Sequence, residues 1–377
     1  MIILNNHGTA VNTTGTASSS SNTTSTSKPA QTGGLHNSDN CELQEKQTVA
    51  KTPLEDKDHK GKPRPWQRKK AGTMQLTKAF REQGHKEYQQ GSRVEAGKEY
   101  KRANRIFHCG SHLAFTQSSI NDKLALKEAN FCRERLCVLC NWRKSIKMFY
   151  ELSRIYDIAH KENPVARAIF ITLTIKNCSG EDLSATLDRM YKAWNKMLAH
   201  SRIKAAGFLG WFRALEVTHN WQRNDYHPHF HAIVMVDKSY FKSDAYLEAA
   251  ELVKIWKVSL GVDYDPICDM RKVYSKGEQK HKAVAEVAKY TLKDSDYLFK
   301  GDDKKTALVV GVLSPALRGR RLYAYGGVLR EIAKRLKVAK YKDLVKIDDN
   351  SQISEEIASL LLIYKWDFGL RNYFCRT

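Results

Sequence analysis

Two histidines in the segment YHPHFHAIVMV (226–236) are the most informative residues of the chain. Read as a β-strand, the segment projects His229 and His231 to the same side, about 7 Å apart along the backbone. Phe230, Ile233 and the apolar run that follows would root such a strand in a core. Two imidazoles on one sheet face can share a divalent metal. They need a further ligand, and the preceding apolar segment offers Glu216 in RALEVTHN. If 210–218 and 229–236 pair, Glu216 lies opposite the histidines. Two imidazoles and one carboxylate leave open positions and suit Mg²⁺ or Mn²⁺ acting on phosphate oxygens. His219 is an alternative to Glu216. His227 shares the parity of His229, but Pro228 could kink the strand between them.

A second constellation lies in VAEVAKYTLKDSDY (284–297). On a helix Glu286 and Tyr290 are four residues apart and share a face, with Lys293 further along the same edge. A tyrosine beside a metal-bound phosphate can act as a nucleophile. Glu286 could activate water as a general base, and Lys293 could neutralise phosphate charge or stabilise a phenolate. The alternative is a surface helix with an interfacial tyrosine. Tyr297 is a rival nucleophile. The third constellation is Cys109, Cys132, Cys137 and Cys140, whose C-x₂-C pair and four thiolates suit a closed structural zinc site. His108 and His112 are alternative fourth ligands.

These side chains need elements to hold them. ARAIFITLTI (166–175) is β-branched and apolar and reads as a buried strand. Leu183, Leu187, Met190, Trp194 and Met197 recur at helical spacing over 182–200. Ile146, Phe149, Leu152, Ile155 and Ile158 predict a helix after Cys140. The polar, turn-rich HNWQRNDYHP predicts an antiparallel hairpin between 210–218 and 229–236. A helix near 243–259, a strand near 267–274 and a helix near 281–293 follow, and residues 74–105 read as charged helix. The order predicts an α+β domain with helices on one face of a mostly antiparallel sheet. The expected divisions are a disordered Ser/Thr/Asn-rich tail (1–60), a basic arm with the Cys-rich segment (61–150), a catalytic domain (151–300) and a basic C-terminal region (301–377). In KDHKGKPRPWQRKK (57–70), Trp66 is either part of a solvated linker or a platform for a base.

Composition sets the class of partner. The 377 residues carry 63 Lys+Arg against 41 Asp+Glu, a formal charge of +22. This points to a polyanion, either nucleic acid or an acidic membrane surface. No apolar run is long enough to span a membrane, and the first residues do not read as a signal peptide. The expectation is a cytoplasmic protein with reduced thiols.

Taken together and in order, the motifs resemble those of rolling-circle plasmid replication initiators, the single-tyrosine branch of the HUH endonucleases. FITLTI (170–175) is similar to the family's first motif, HPHFHAIVMV (227–236) to its metal-binding motif, and EVAKYTLKDSDY (286–297) to its tyrosine motif. ANFCRERLCVLCNWRKS (129–145) and LRGRRLYAYGGVLREIAKRL (317–336) resemble other parts of the same branch, with Val138 where relatives often place Pro. The resemblance implies an HUH endonuclease domain, with a central sheet flanked by helices, plus a zinc-binding N-terminal segment. It implies a metal-dependent nicking and closing enzyme that binds a plasmid origin. His229, His231 and Glu216 would hold Mg²⁺ or Mn²⁺. Tyr290 would form a 5′-phosphotyrosine and free a 3′-OH primer, and Glu286 would direct water to end the round. Host helicase, single-strand binding protein and DNA polymerase are the implied partners. A related transposase or relaxase, or a zinc-dependent DNA-binding regulator, are the alternatives.

Overall fold

A computed structural model describes residues 51–58, 60–120, 122–273, 278–288, 293–338, 344–345 and 358–375. The tail expected over 1–60 lies outside them through residue 50. In chain order the first elements are β1 (Thr52–Pro53), α1 (Trp66–Gln89), α2 (Arg93–His108), β2 (His112–Ser118), β3 (Leu124–Ala129) and α3 (Val138–Glu162). They are followed by β4 (Arg167–Thr174), α4 (Leu183–Ala199), α5 (Ser201–Ala205), β5 (Phe208–Asn220) and β6 (Asp225–Val236). The chain then forms α6 (Ala249–Leu260), β7 (Cys268–Val273), α7 (Glu278–Ala288), α8 (Asp303–Leu317), β8 (Tyr323–Gly326), α9 (Gly327–Arg335), β9 (Ala358–Asp367) and β10 (Asn372–Cys375).

The class is α+β, with two five-stranded sheets, both antiparallel in every described pairing. The central sheet runs β7-β4-β6-β5-β8. Its helices cover both faces, which corrects the one-face expectation. The reason is visible in β4 and β6, where successive residues are apolar instead of alternating with polar ones. Ile169, Ile171 and Leu173 of β4, with Phe230, Ala232 and Val234 of β6, pack into one core with Leu187 and Met190 of α4 and Trp256 of α6. Ala168, Phe170, Ile233 and Met235 face the other way, onto Leu152 and Ile155 of α3, Val284 and Val287 of α7, and Leu329 and Ile332 of α9. The predicted helix of 182–200 buries all five of its periodic residues. The helix expected near 243–259 begins later, at Ala249, after a short 3₁₀ turn over Lys238–Lys242.

The role of residues beyond 300 was open in the sequence. Strand β8 pairs with β5, joining Tyr323 to Ala214 and Gly326 to Trp211. A side chain at Gly326 would collide with the Trp211 ring, and Gly327, at φ +55°, sits against the backbone of Leu209 and Gly210. The Gly-Gly pair therefore lets the chain turn from β8 into α9 against the edge of β5. The second sheet, β1-β10-β9-β2-β3, was not foreseen. It joins residues 112–118 to 358–365 and residues 52–53 to 374–375. Trp66 is not a base platform. It is 2 % exposed, stands edge-on to Phe115 and Trp142, and donates its indole N–H to Asp56 Oδ2 (2.7 Å). Among the described residues, no helix is long and apolar enough to cross a membrane.

Candidate active site

Hairpin register assembles the metal-ligand set. β5 and β6 pair from Phe208–Val236 to Asn220–Asp225, so Glu216 lies directly across from His229 and Ala214 across from His231. Glu216, His229 and His231 continue the rows of Phe212 and Ala214 and of Ile233 and Met235, which face α3, α7 and α9. The three side chains therefore emerge on the α7 side of the sheet, just beyond its apolar core. Pro228 does not kink the strand. It falls between the last β4 pairing, at His229, and the bridge from Tyr226 to Cys178, where one edge of β6 has no partner strand.

Glu216 Oε2 accepts hydrogen bonds from Nε2 of both His231 (3.0 Å) and His229 (3.3 Å), and the three ligand atoms lie within 4.8 Å of one another. Each imidazole is oriented through its other nitrogen. His231 Nδ1 meets the Thr172 hydroxyl at 3.1 Å, and His229 Nδ1 meets the His227 carbonyl at 3.2 Å. Fixing Nδ1 in this way aims Nε2 inward, as in metal-binding histidines. Lys293 Nζ lies 3.1 Å from Glu216 Oε1. Burial alone would raise the Glu216 carboxyl pKa. Hydrogen bonds from both imidazoles, the charge of His229 and that of Lys293 outweigh it and hold the carboxyl well below the usual range. The donor set fits a divalent ion: two ring nitrogens and a carboxylate oxygen converge, and open positions remain.

The other residues singled out from sequence fall in different places. Lys293 is not on a helix edge with Glu286; its backbone is extended and precedes a 3₁₀ turn at Asp294–Asp296. Glu286 lies on α7 and makes an ion pair with Arg271 of β7 at 2.6 Å. Tyr290 lies outside the described residues. Tyr297 is fully buried and donates its hydroxyl to the Leu136 carbonyl (2.8 Å), so it serves the core. His219 meets the Asn224 side chain at 3.2 Å, and His227 stacks on His229. Three residues at or bordering the site were missed: Thr172, Arg271 and Asp296. Strand parity could have found Thr172, since it faces His231 across the β4–β6 ladder. Burial pushes the Asp296 carboxyl up to about 6, despite the opposing effects of a hydrogen bond from the Lys293 backbone and the Lys293 charge.

The four cysteines form the second cluster. Their sulfurs lie within 4.8 Å of one another, with Cys109–Cys140 at 3.5 Å, Cys109–Cys137 at 3.6 Å and Cys132–Cys140 at 3.8 Å. Backbone N–H groups of Cys132, Arg133 and Glu134 point at sulfurs of Cys109, Cys140 and Cys132. Such N–H groups suit metal-bound sulfur, and Cys137 is the cap residue of α3. Sulfur-only donors in a closed group fit a structural metal. His108 and His112 are outside the group. Gly110, at φ +62°, makes the turn after Cys109, where a side chain would strike Leu139.

Residues 123–374 match the family model described as replication protein. A "Protein rep" of Streptococcus pneumoniae is 35% identical over 86% of this chain and 96% of its own length. Proteins of the same name from Lactiplantibacillus plantarum (37% identical, 85% of this chain and 98% of the relative) and Bacillus amyloliquefaciens (35%, 86% and 97%) are similarly related. The chain belongs to this replication-protein family. The likeness to rolling-circle plasmid replication initiators, drawn from a few motifs, thus extends over most of its length. The matched region of this replication protein runs from β3 to β10 and contains Glu216, His229, His231 and three of the four clustered cysteines. No solved structure matches it.

Proposed function

We propose that this replication protein binds a plasmid double-strand origin and nicks one strand through Tyr290, within an HUH endonuclease domain. The observation that carries the reading is the convergence of Glu216, His229 and His231 on the α7 side of the central sheet, with Lys293 beside them. Glu216, His229 and His231 would hold Mg²⁺ or Mn²⁺, which when bound supplies Lewis acidity to the scissile phosphate. Lys293 would balance charge building on the phosphate or the attacking phenolate. The Tyr290 hydroxyl would lose its proton as its oxygen attacks phosphorus. The bond to O3′ breaks, O3′ takes up a proton, and a 5′-phosphotyrosine and a 3′-OH primer result. Glu286, oriented by Arg271, would later take a proton from water as the water oxygen attacks phosphorus at the regenerated nick site and the bond to O3′ breaks. The freed 3′-OH would then attack the phosphotyrosine, releasing Tyr290 and closing the circle. The cysteine cluster would hold structural Zn²⁺. Host helicase, single-strand binding protein and polymerase would then extend the primer.

The test is cleavage of supercoiled origin plasmid with Mg²⁺ or Mn²⁺. Tyr290→Phe should abolish nicking and the covalent 5′ adduct while origin binding survives. A covalent adduct retained in that variant would overturn the assignment of Tyr290.

A further inference from the structure

A cleft of about 760 Å³ opens between α2, the loop inside the cysteine cluster and the end of α8. Its walls carry Lys98, Lys101, Arg102 and Arg105 from α2, Arg135 from the cysteine loop and Arg318 from the LRGRR motif. The α2 residues recur at three- and four-residue steps and so share one helix face. Only two carboxylates line the cleft. Glu99 is engaged by Arg102 (2.9 Å) and Arg318 (3.5 Å), and Glu134 by Arg102 (3.2 Å) and Arg105. Six cations line the cleft against two anions, and although Lys98 also pairs with Glu95 (2.6 Å) outside the lining, a positive excess remains. Among the described residues Lys101 makes no ion pair.

Contacts behind the cleft tie its walls to the fold. Arg135 donates to the Arg320 carbonyl (2.5 Å), and Arg320 itself is tied to Asp188 (2.8 Å) and the Ser184 carbonyl (3.0 Å) of α4. Glu134 and Arg135 sit between Cys132 and Cys137, so the cysteine cluster fixes two of the cleft's residues from behind. The LRGRR motif is thereby divided: Arg320 braces the fold, and Arg318, with its side chain 61 % exposed, faces the cleft.

We infer that this cleft grips the phosphate backbone of duplex DNA flanking the nick site. It reads charge and spacing, not bases. None of its lining residues is aromatic, so it lacks the stacking platforms on which single strands are held. Cations around a polar groove instead match sequence-independent phosphate contacts, which position a protein on a duplex. The inference rests on the DNA-processing reading above and adds the surface that holds the substrate.

The test combines Lys101→Ala, Arg105→Ala and Arg318→Ala in the full chain. Binding is measured against salt on a duplex of about three helical turns, with and without origin sequence. The plot of log affinity against log salt should become shallower by about 2 to 3, and affinity should fall at least about tenfold on both duplexes. Cleavage of a short single-stranded oligonucleotide spanning the nick site should keep its rate. The variant Lys101→Arg, Arg105→Lys, Arg318→Lys should restore duplex binding, which separates charge from folding. Unchanged affinity and slope in the alanine variant overturn the inference. So does an equal loss of oligonucleotide cleavage at unchanged melting temperature, because the cleft would then belong to the strand path of the active site. If the wild type cleaves no oligonucleotide, the nicking reading fails while the duplex measurements still decide the cleft.

Discussion

Lys293 binds the one oxygen of Glu216 that the histidines leave alone: Oε2 is shared by His229 and His231, and Oε1 lies 3.1 Å from the ammonium. The carboxylate therefore bridges a ligand cluster and a half-exposed positive charge. Lys293→Ala should leave Mn²⁺ affinity within about threefold, since the ligands are untouched, and slow nicking by about a hundredfold, as for loss of one charge-stabilising donor. Calorimetry and a single-turnover nicking assay read the two effects separately. Full nicking activity would exclude Lys293 from the reaction.

Thr172 is the hydroxyl that orients His231. Thr172→Val keeps the β-branched shape suited to β4 and removes only the oxygen at 3.1 Å from Nδ1. Metal affinity should fall about ten- to a hundredfold, the usual cost of an outer partner of a ligating histidine. A Mn²⁺ titration of the variant with wild-type affinity would show that strand packing alone aims the ring.

Asp296 gives the metal-free protein a pH dependence of definite sign. Its carboxyl is raised from 3.8 to about 6 by burial, so the folded chain holds that proton more tightly than the unfolded one. Stability contributed by this group is present below pH 4 and is lost as pH rises towards 6. Asp296→Asn should remove the penalty at pH 7. Solvent at this partly exposed position limits the gain to about 1 kcal/mol. Urea unfolding at pH 4.5 and 7 should show a gain at pH 7 that shrinks at pH 4.5; an equal gain at both would contradict the assignment.

Trp66 belongs to stability. Trp66→Ala removes its contacts with Phe115 and Trp142 and leaves Asp56 without the indole donor. The expected loss is about 3–5 kcal/mol. DNA affinity per folded molecule should be unchanged, and a selective loss of binding at full stability would restore the base-platform reading.

The cysteine cluster should hold about one zinc ion per chain through dialysis. Cys137→Ser should abolish that ion and lower the melting temperature. Elemental analysis of the purified chain checks both the stoichiometry and the metal; wild-type protein free of zinc would rule out a zinc-holding role.

Local periodicity made the central sheet legible. Strand β4, helix α4 and the β5–β6 hairpin are each encoded within a few tens of residues; pairing of the two strands predicts Glu216 opposite the histidines, and the register sets it across from His229. Signals spread over long separations were not legible. Strand β9 pairs with β2 from roughly 250 residues away. Trp66 sits in a basic stretch that reads as solvated, yet its indole meets a carboxylate ten residues earlier. Lys293 was expected on a helical edge, and the extended backbone before Asp294 carries it to Glu216 instead. The nearest sequence neighbours of Tyr297 did not reveal that its partner is Leu136, on the far side of the catalytic strands in sequence.

The pairing of residues 112–118 with 358–365, and of 52–53 with 374–375, imposes an order on folding during synthesis. The hairpin bearing Glu216, His229 and His231 closes over a short loop and can form while the ribosome is still at work. The sheet beside the cysteine cluster must wait for β9 and β10 to emerge, and its distant pairings also carry the larger closure entropy. A chain interrupted near residue 340 would thus hold the three metal-ligand residues without β9 and β10. Such a fragment could still assemble the ligand set, but the sheet that supports its second metal cluster would be incomplete.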